Sequence, residues 1–208
     1  MCWSGSCSDD DKVLNHEATK DVWIFDLKWI ESIVVSLLLQ FNEDINREGL
    51  RDTPKRVAKA YSRILWWYWR SLKDEITVFN NSHNYDDIVF SWKINFFSTC
   101  EHHLLPFFWF AHVWYIPKDK IIWLSKIARA IDIFSRRLQD QERITVQVAQ
   151  ELFTLLDPLW VAVLLEGQHF CNMARWVEQV NSNMKTVCFL WEFKEKPELR
   201  DRFLQMIK

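Results

Sequence analysis

Two runs rich in β-branched and aromatic side chains, Ile88 to Phe97 and Leu105 to Ile116, stand on either side of Cys100-Glu101-His102-His103. Such runs read as strands, so the turn between them carries a thiol and two imidazoles at strand ends. A thiolate and an imidazole three residues apart can close on one metal ion, and His102 between them is not needed as a ligand. Two ligands do not make a zinc site, however, and Cys-x-x-His alone also fits a buried cysteine beside surface histidines. Glu166-Gly167-Gln168-His169-Phe170-Cys171 supplies another His and Cys, two residues apart, which on an extended strand point to one face. Cys100, His103 and Cys171 would give three protein ligands and one open position, the pattern of a zinc ion that activates water and not one that staples a fold. His102 and His169 would remain for proton transfer.

Helices and further strands are expected around this turn. Residues 1–21 are polar and aperiodic and read as a disordered tail, in which Cys2, Cys7 and His16 are more simply solvated than metal-bound. Apolar residues recur at helical spacing from Val22 to Ile45, and a second helix is expected from Thr53 as N-cap, with Pro54 at its first position, to about Ser71. Arg56 and Lys59 fall three apart on one face of it. Residues 73–87 look like a loop. Leu124-Ser125-Lys126 opens a third helix with Ser125 as N-cap, and Lys126 and Arg129 lie in its first turns. Cations there oppose the helix dipole unless an anion binds between them and the free backbone N–H groups. Gln139 to Arg143 reads as a bridge to a fourth helix, Ile144 to Leu156, closed by Asp157-Pro158. Leu159 to Glu166, His169 to Val177 and Thr186 to Phe193 read as strands, and Pro197 to Ile207 as a terminal helix. His112, within a strand, reads as a structural or surface histidine.

A length of 208 residues suits one domain with a full core, with or without a helical extension. Lys+Arg 26 against Asp+Glu 28 leaves a formal charge of −2, so no polycationic surface is offered to nucleic acid or membrane. Any anion must be met by a local cluster. Five cysteines at irregular spacing, behind an acidic N-terminus, point to a reducing, cytoplasmic setting. The longest apolar run, Ile33 to Leu39 broken by Ser36, falls far short of the roughly 20 residues that span a bilayer.

Thr53-Pro54-Lys55-Arg56, Ser98-Thr99-Cys100-Glu101-His102-His103, Leu124-Ser125-Lys126, Gln141-Glu142-Arg143-Ile144-Thr145 and His169-Phe170-Cys171 occur in an order and at spacings that strongly resemble the GTP cyclohydrolase I family, from about Arg51 to Leu204. The resemblance implies an α+β T-fold: an antiparallel four-stranded sheet with helices on one face, the core spanning residues 73–208 after a helical segment at 22–72. It also implies a toroidal homodecamer with active sites shared between subunits. Carried over residue by residue, the Zn2+ ligands fall on Cys100, His103 and Cys171, and the acid/base histidines on His102 and His169. Glu142 matches the carboxylate that holds the guanine ring of GTP, with Gln141 beside it. Arg56, Lys59, Lys126, Arg129 and Arg175 match the triphosphate cluster, and Ser125 a serine near the ribose. The implied reaction converts GTP to 7,8-dihydroneopterin triphosphate and formate, toward folate or tetrahydrobiopterin.

Composition departs from that family in one respect. The chain has Gly 3 and Trp 13, where about 7% glycine is usual. Trp109, Trp114, Trp123, Trp160, Trp176 and Trp191 stand where the family has glycine. Where such a position needs φ > 0 or a close backbone approach, each indole would cost roughly 1–3 kcal/mol. Trp123 and Trp176, next to Ser125-Lys126 and Arg175, are also expected to crowd the phosphate-binding cations.

Overall fold

The computed structural model describes residues 25–191 together with Asp201, Phe203 and Gln205. The tail expected at 1–21 lies outside the described residues, as does most of the terminal helix expected at Pro197 to Ile207; Asp201, Phe203 and Gln205 are helical. The chain opens with α1 (Leu27–Gln40), whose N-cap Asp26 accepts from Trp29 N, and α2 (Thr53–Ile64). The second cap is Asp52 and not Thr53, with no side-chain cap bond; Thr53 donates instead to Gly49 O at 3.2 Å. α2 stops before the expected Ser71 and is followed by a 3-10 turn at Trp66–Trp69 and a short α3 (Leu72–Glu75). The stretch expected as a loop therefore begins in α3, and it also holds β1 (Phe79–Asn80), which pairs with β4 (Lys120–Ile121).

The main sheet runs in the order β5-β2-β3-β6-β7, with β2 (Val89–Cys100), β3 (Pro106–Ile116), β6 (Trp160–His169) and β7 (Met184–Trp191) forming one antiparallel ladder. The expected four antiparallel strands are present, and the two-residue β5 (Leu138–Gln139) adds a parallel fifth beside Thr99 and Cys100. One correction concerns the strand expected from His169 to Val177. β6 continues to His169, opposite Phe107, and the chain then turns into α6 (Phe170–Met173). His169, the cap of that turn, and Cys171, within it, line one cavity and do not lie along one strand.

Alternation along the strands divides the sheet into two faces. Ala111, Val113, Tyr115, Val161, Val163 and Leu165 pack beneath α4 (Leu124–Ser135) and α5 (Gln141–Leu156), which supply Ile127, Ile131, Phe134, Ile144, Val148, Leu152 and Leu156. α5 starts three residues before the expected Ile144, because Asp140 caps it by accepting from Arg143 N at 2.7 Å. On the opposite face Trp114, Trp160, Ala162, Leu164 and Phe203 form a second cluster.

The tryptophans at expected glycine positions carry no left-handed backbone: none of the six is among the positive-φ residues. Trp114 and Trp160 are buried in the second cluster, Trp123 stacks on Phe79 at 4.3 Å, and Trp176 is 83% exposed. The backbone strain expected of them is absent. What burial does cost is a polar group, since Trp114 Nε1 is buried without a hydrogen-bond partner. Leu152 is 1% exposed on the sheet-facing side of α5. Leu152→Ala should lower unfolding free energy by about 2–5 kcal/mol in urea titration; an unchanged midpoint would show that α5 does not depend on this packing.

Candidate functional site

Cys100 ends β2, and the turn after it is closed by Cys100 N to Leu105 O at 2.9 Å, with Leu104 in the left-handed region at φ 55. This folds His103 back over Cys100. Ligand atoms of Cys100, His103 and Cys171 lie within 4.8 Å of one another. Cys100 Sγ stands 3.6 Å from His103 Nδ1. Sulfur and nitrogen bound tetrahedrally at about 2.3 and 2.1 Å would stand about 3.6 Å apart, so the donors already have the spacing of a metal site. Burial and the neighbouring Cys100 thiol push the Cys171 thiol up, because two adjacent sulfurs resist becoming thiolates together. A cation between them removes that resistance. The donor set therefore fits a soft or borderline divalent ion. His102 Nδ1 also comes to 3.7 Å from Cys100 Sγ, and its side chain is exposed.

Gln141, expected beside a ligand ring, is 1% exposed, and its amide is used within the protein. Its Nε2 donates toward Leu165 O, Met184 O and Thr186 Oγ1 at 3.0–3.1 Å, which fixes Oε1 toward His169 Nε2 at 2.9 Å. Facing three acceptors with its nitrogen, the amide has one sensible orientation, and His169 must donate from Nε2. In a neutral ring Nδ1 is then the free acceptor. Phe107 stacks on the ring at 4.5 Å and 7°. Burial pushes His169 down, against the charge of Glu142, which is exposed on the first turn of α5. A small cavity of about 240 Å³ lined by His169, Cys171, Asn172, Ser182, Asn183 and Met184 opens beside these groups.

The cations are distributed unevenly. Arg175 donates from Nε to Cys171 O at 2.6 Å, and its charge helps depress His103, whose largest cause is desolvation. Arg56 turns back to Gly49 O and Thr53 Oγ1, and Arg129 pairs with Glu75 at 3.4 Å. Lys59 is exposed on α2, and Ser125 and Lys126 lie in the first turn of α4, whose N-cap is Trp123 and not Ser125. Among the described residues, no hydrogen bond or ion pair joins Arg56, Ser125, Lys126 or Arg129 to the triad.

Residues 30–208 match the profile of the GTP cyclohydrolase I family over most of the chain. The chain belongs to that family. It is 45% identical over 179 residues to proteins named GTP cyclohydrolase 1 from Brucella canis, Brucella suis and Brucella melitensis, covering 86% of this chain and 84% of each relative. The helix-backed antiparallel sheet is the T-fold of the GTP cyclohydrolase I family. A solved archaeosine synthase QueF-like protein aligns over 49% of this chain and 91% of its own, with TM-score 0.40 and 16% identity, too distant to bear on the site.

Glu101, Arg143, Phe107, Thr186 and Gly167, none of them among the expected site residues, also shape this candidate site. Glu101 and Arg143 were visible as opposite charges flanking the named motif residues; the others had no local signal. Gly167 is required by contact and not by dihedral: a Cβ there would lie 2.0 Å from Gln141 Oε1 and 3.3 Å from His169 Nε2. Gly167→Ala should destabilise by about 1–3 kcal/mol in chemical denaturation; a midpoint equal to the parent's would mean that Gln141 can leave His169 at no cost.

Proposed function

We propose that the protein is a zinc-dependent hydrolase that converts GTP to 7,8-dihydroneopterin triphosphate and formate. The observation that carries this reading is the convergence of Cys100, His103 and Cys171 with His102, His169 and Glu142 at one end of the sheet. Two sulfurs and an imidazole with one side open favour zinc among common divalent ions. A zinc ion held by Cys100, His103 and Cys171 would supply Lewis acidity, enough to bring the pKa of a water to about 7 beside C8 of the purine. His169, oriented by Gln141 and Phe107, presents Nδ1 to hold the proton that goes to N7, and His102 serves as the second proton carrier. Glu142 accepts from N1–H and the 2-amino group of guanine, a pair of donors that adenine lacks. Gln141 supports this site from inside the protein instead of touching the ring.

Arg175 reaches the triphosphate from beside His103, and Arg56, Lys59, Lys126 and Arg129, with Ser125 near the ribose, complete the substrate-binding set. The outer side of β7 and most of the outer side of β2 have no partner strand among the described residues, and the two run antiparallel to each other. Copies paired β7 to β2 would close head to tail into a ring. This supports a homo-oligomer, the family's decamer of two rings, with α2 and α4 cations completing a neighbour's site. Residues 22–208 then work as one unit, a helical segment at 22–72 and the T-fold core at 73–208. The cysteine usage supports a cytoplasmic enzyme at the first step toward folate or tetrahydrobiopterin, and no helix among the described residues is long and apolar enough to cross a membrane.

The test is to incubate purified protein with GTP and to measure formate, the fluorescent oxidised pterin and bound metal. We expect about one zinc per subunit, loss of metal and turnover in Cys100→Ser and Cys171→Ser, and loss of turnover with metal retained in Glu142→Ala. Full zinc retention in both cysteine variants rules out the triad, and normal turnover in Glu142→Ala rules out the guanine assignment. A separate outcome concerns Trp176, whose ring centroid lies 4.8 Å from Arg175 Cζ. An exposed cation–π contact holds about 0.5–1 kcal/mol, so freeing the guanidinium in Trp176→Gly should lower KM for GTP by about 2–5-fold at unchanged zinc. An unaltered or raised KM would show that the indole does not compete for Arg175.

A further inference from the structure

The first turn of α5 touches both halves of the candidate centre. On its buried side Gln141 holds His169, two residues before Cys171. On its exposed side Arg143 donates from Nη1 to Glu101 Oε2 at 2.7 Å and from Nη2 to Glu101 Oε1 at 2.9 Å. These are the two parallel bonds of a guanidinium–carboxylate fork, which fixes direction as well as distance. Glu101 directly follows Cys100, and its own N–H donates to Gln139 O at 3.1 Å. Arg143 is itself held in place. Its Nη2 lies 2.8 Å from Asp140 Oδ2, its Nη1 donates to Gln139 Oε1 at 3.4 Å, and its backbone N–H donates to the capping oxygen of Asp140. The guanidinium therefore cannot swing away without losing its contacts with the Asp140 carboxylate and Gln139. Glu142 stands between these two anchors with its side chain exposed.

We propose that Arg143 is a positioning residue: by clamping Glu101 it sets where the Cys100–His103 turn lies relative to Glu142. The role rests on the functional reading above, in which one substrate is gripped at two points, its ring edge by Glu142 and C8 at the metal centre. Those points are carried by separate segments, a helix start and a hairpin turn, so their spacing needs a strut. The fork is exposed, and exposed ion pairs add little net stability because water and salt screen them. Its geometry matters more than its strength. A displacement of about 1 Å in such a reference point can lower a rate roughly 10²-fold with the reacting groups intact.

The test is a double-mutant cycle in the full-length protein with Arg143→Gln, Glu101→Gln and the pair, alongside Arg143→Lys, which keeps the charge but not the fork. The expected result is parent-level zinc, KM for GTP within about 3-fold of the parent and kcat lower by about 10²-fold in each single variant. The double variant should be no slower than the worse single, because both remove one link. Arg143→Lys should fall between parent and Arg143→Gln, and with Glu101→Gln it carries the test if Arg143→Gln does not fold. Multiplying losses, a raised KM at unchanged kcat, or zinc loss from the single variants overturns the positioning role. Parent activity is read first: no formate from GTP overturns the functional reading and this role together, whereas an active parent with unaffected variants overturns this role alone.

Discussion

A carboxamide sealed from water must find every partner inside the protein, and an unmet donor or acceptor there costs about 1–3 kcal/mol. Gln141 meets that demand where α5, β6, β7 and His169 come together. The requirement spreads outward. β6 must run on to His169 to bring the imidazole to Oε1, β7 must begin at Met184 to offer its carbonyl, and Thr186 must face inward, where Thr145 stands 2.6 Å from its hydroxyl. Residue 167 must lack a Cβ. One buried side chain thus ties the helix start, two strand ends and His169 into a single arrangement.

Charge sets the second constraint. Two thiols at the end of β2 and in α6 are buried together, and burial with the neighbouring Cys100 sulfur pushes the Cys171 thiol up. A bound cation favours the thiolate form of such a ligand, so metal binding and proton release are coupled. The opposite face of the sheet shows a different use of histidine. His112 is 1% exposed against Trp92 and 3.6 Å from Glu166, and burial holds it below its usual range although Glu166 opposes the shift. Burial without a metal partner favours a neutral ring; His103, exposed at the turn, is free to serve as a ligand.

The strands on either side of Cys100 and His103 were legible because β-branched and aromatic residues crowd them. The grouping of Cys100, His103 and Cys171 was legible because a cysteine and a histidine three apart, with a second cysteine downstream, match the donor types that share one site. The strand expected at His169 to Val177 was misread because a spacing of two looks the same for residues on a strand face and residues across a helical turn. The start of α5 was misread because Asp140-Gln141-Glu142-Arg143 looks like a polar linker until Asp140 is seen accepting from Arg143 N. The inward bonds of Gln141 were not legible, because a polar side chain beside Glu142 gives no sign in sequence of which way it faces. The tryptophans were read as strain, yet Trp114 and Trp160 lie on the strand face where Phe203 and Phe90 pack, and the backbone there is ordinary.

Ion pairs of similar exposure can still differ in what they permit. Arg129 meets Glu75 through one contact at 3.4 Å, and Glu75 is shared with Arg70. Arg56 is held by a backbone carbonyl, a hydroxyl and a carboxylate 3.8 Å away. The bonds to Arg56 and Arg129 are long or single, and a multiply charged anion would offer shorter ones. Arg143 is the opposite case, because its two amino groups already face both oxygens of Glu101 and a second carboxylate stands at 2.8 Å. An anionic ligand would have to break a fork to gain one contact. Arg56 and Arg129 are therefore held by weaker contacts than Arg143.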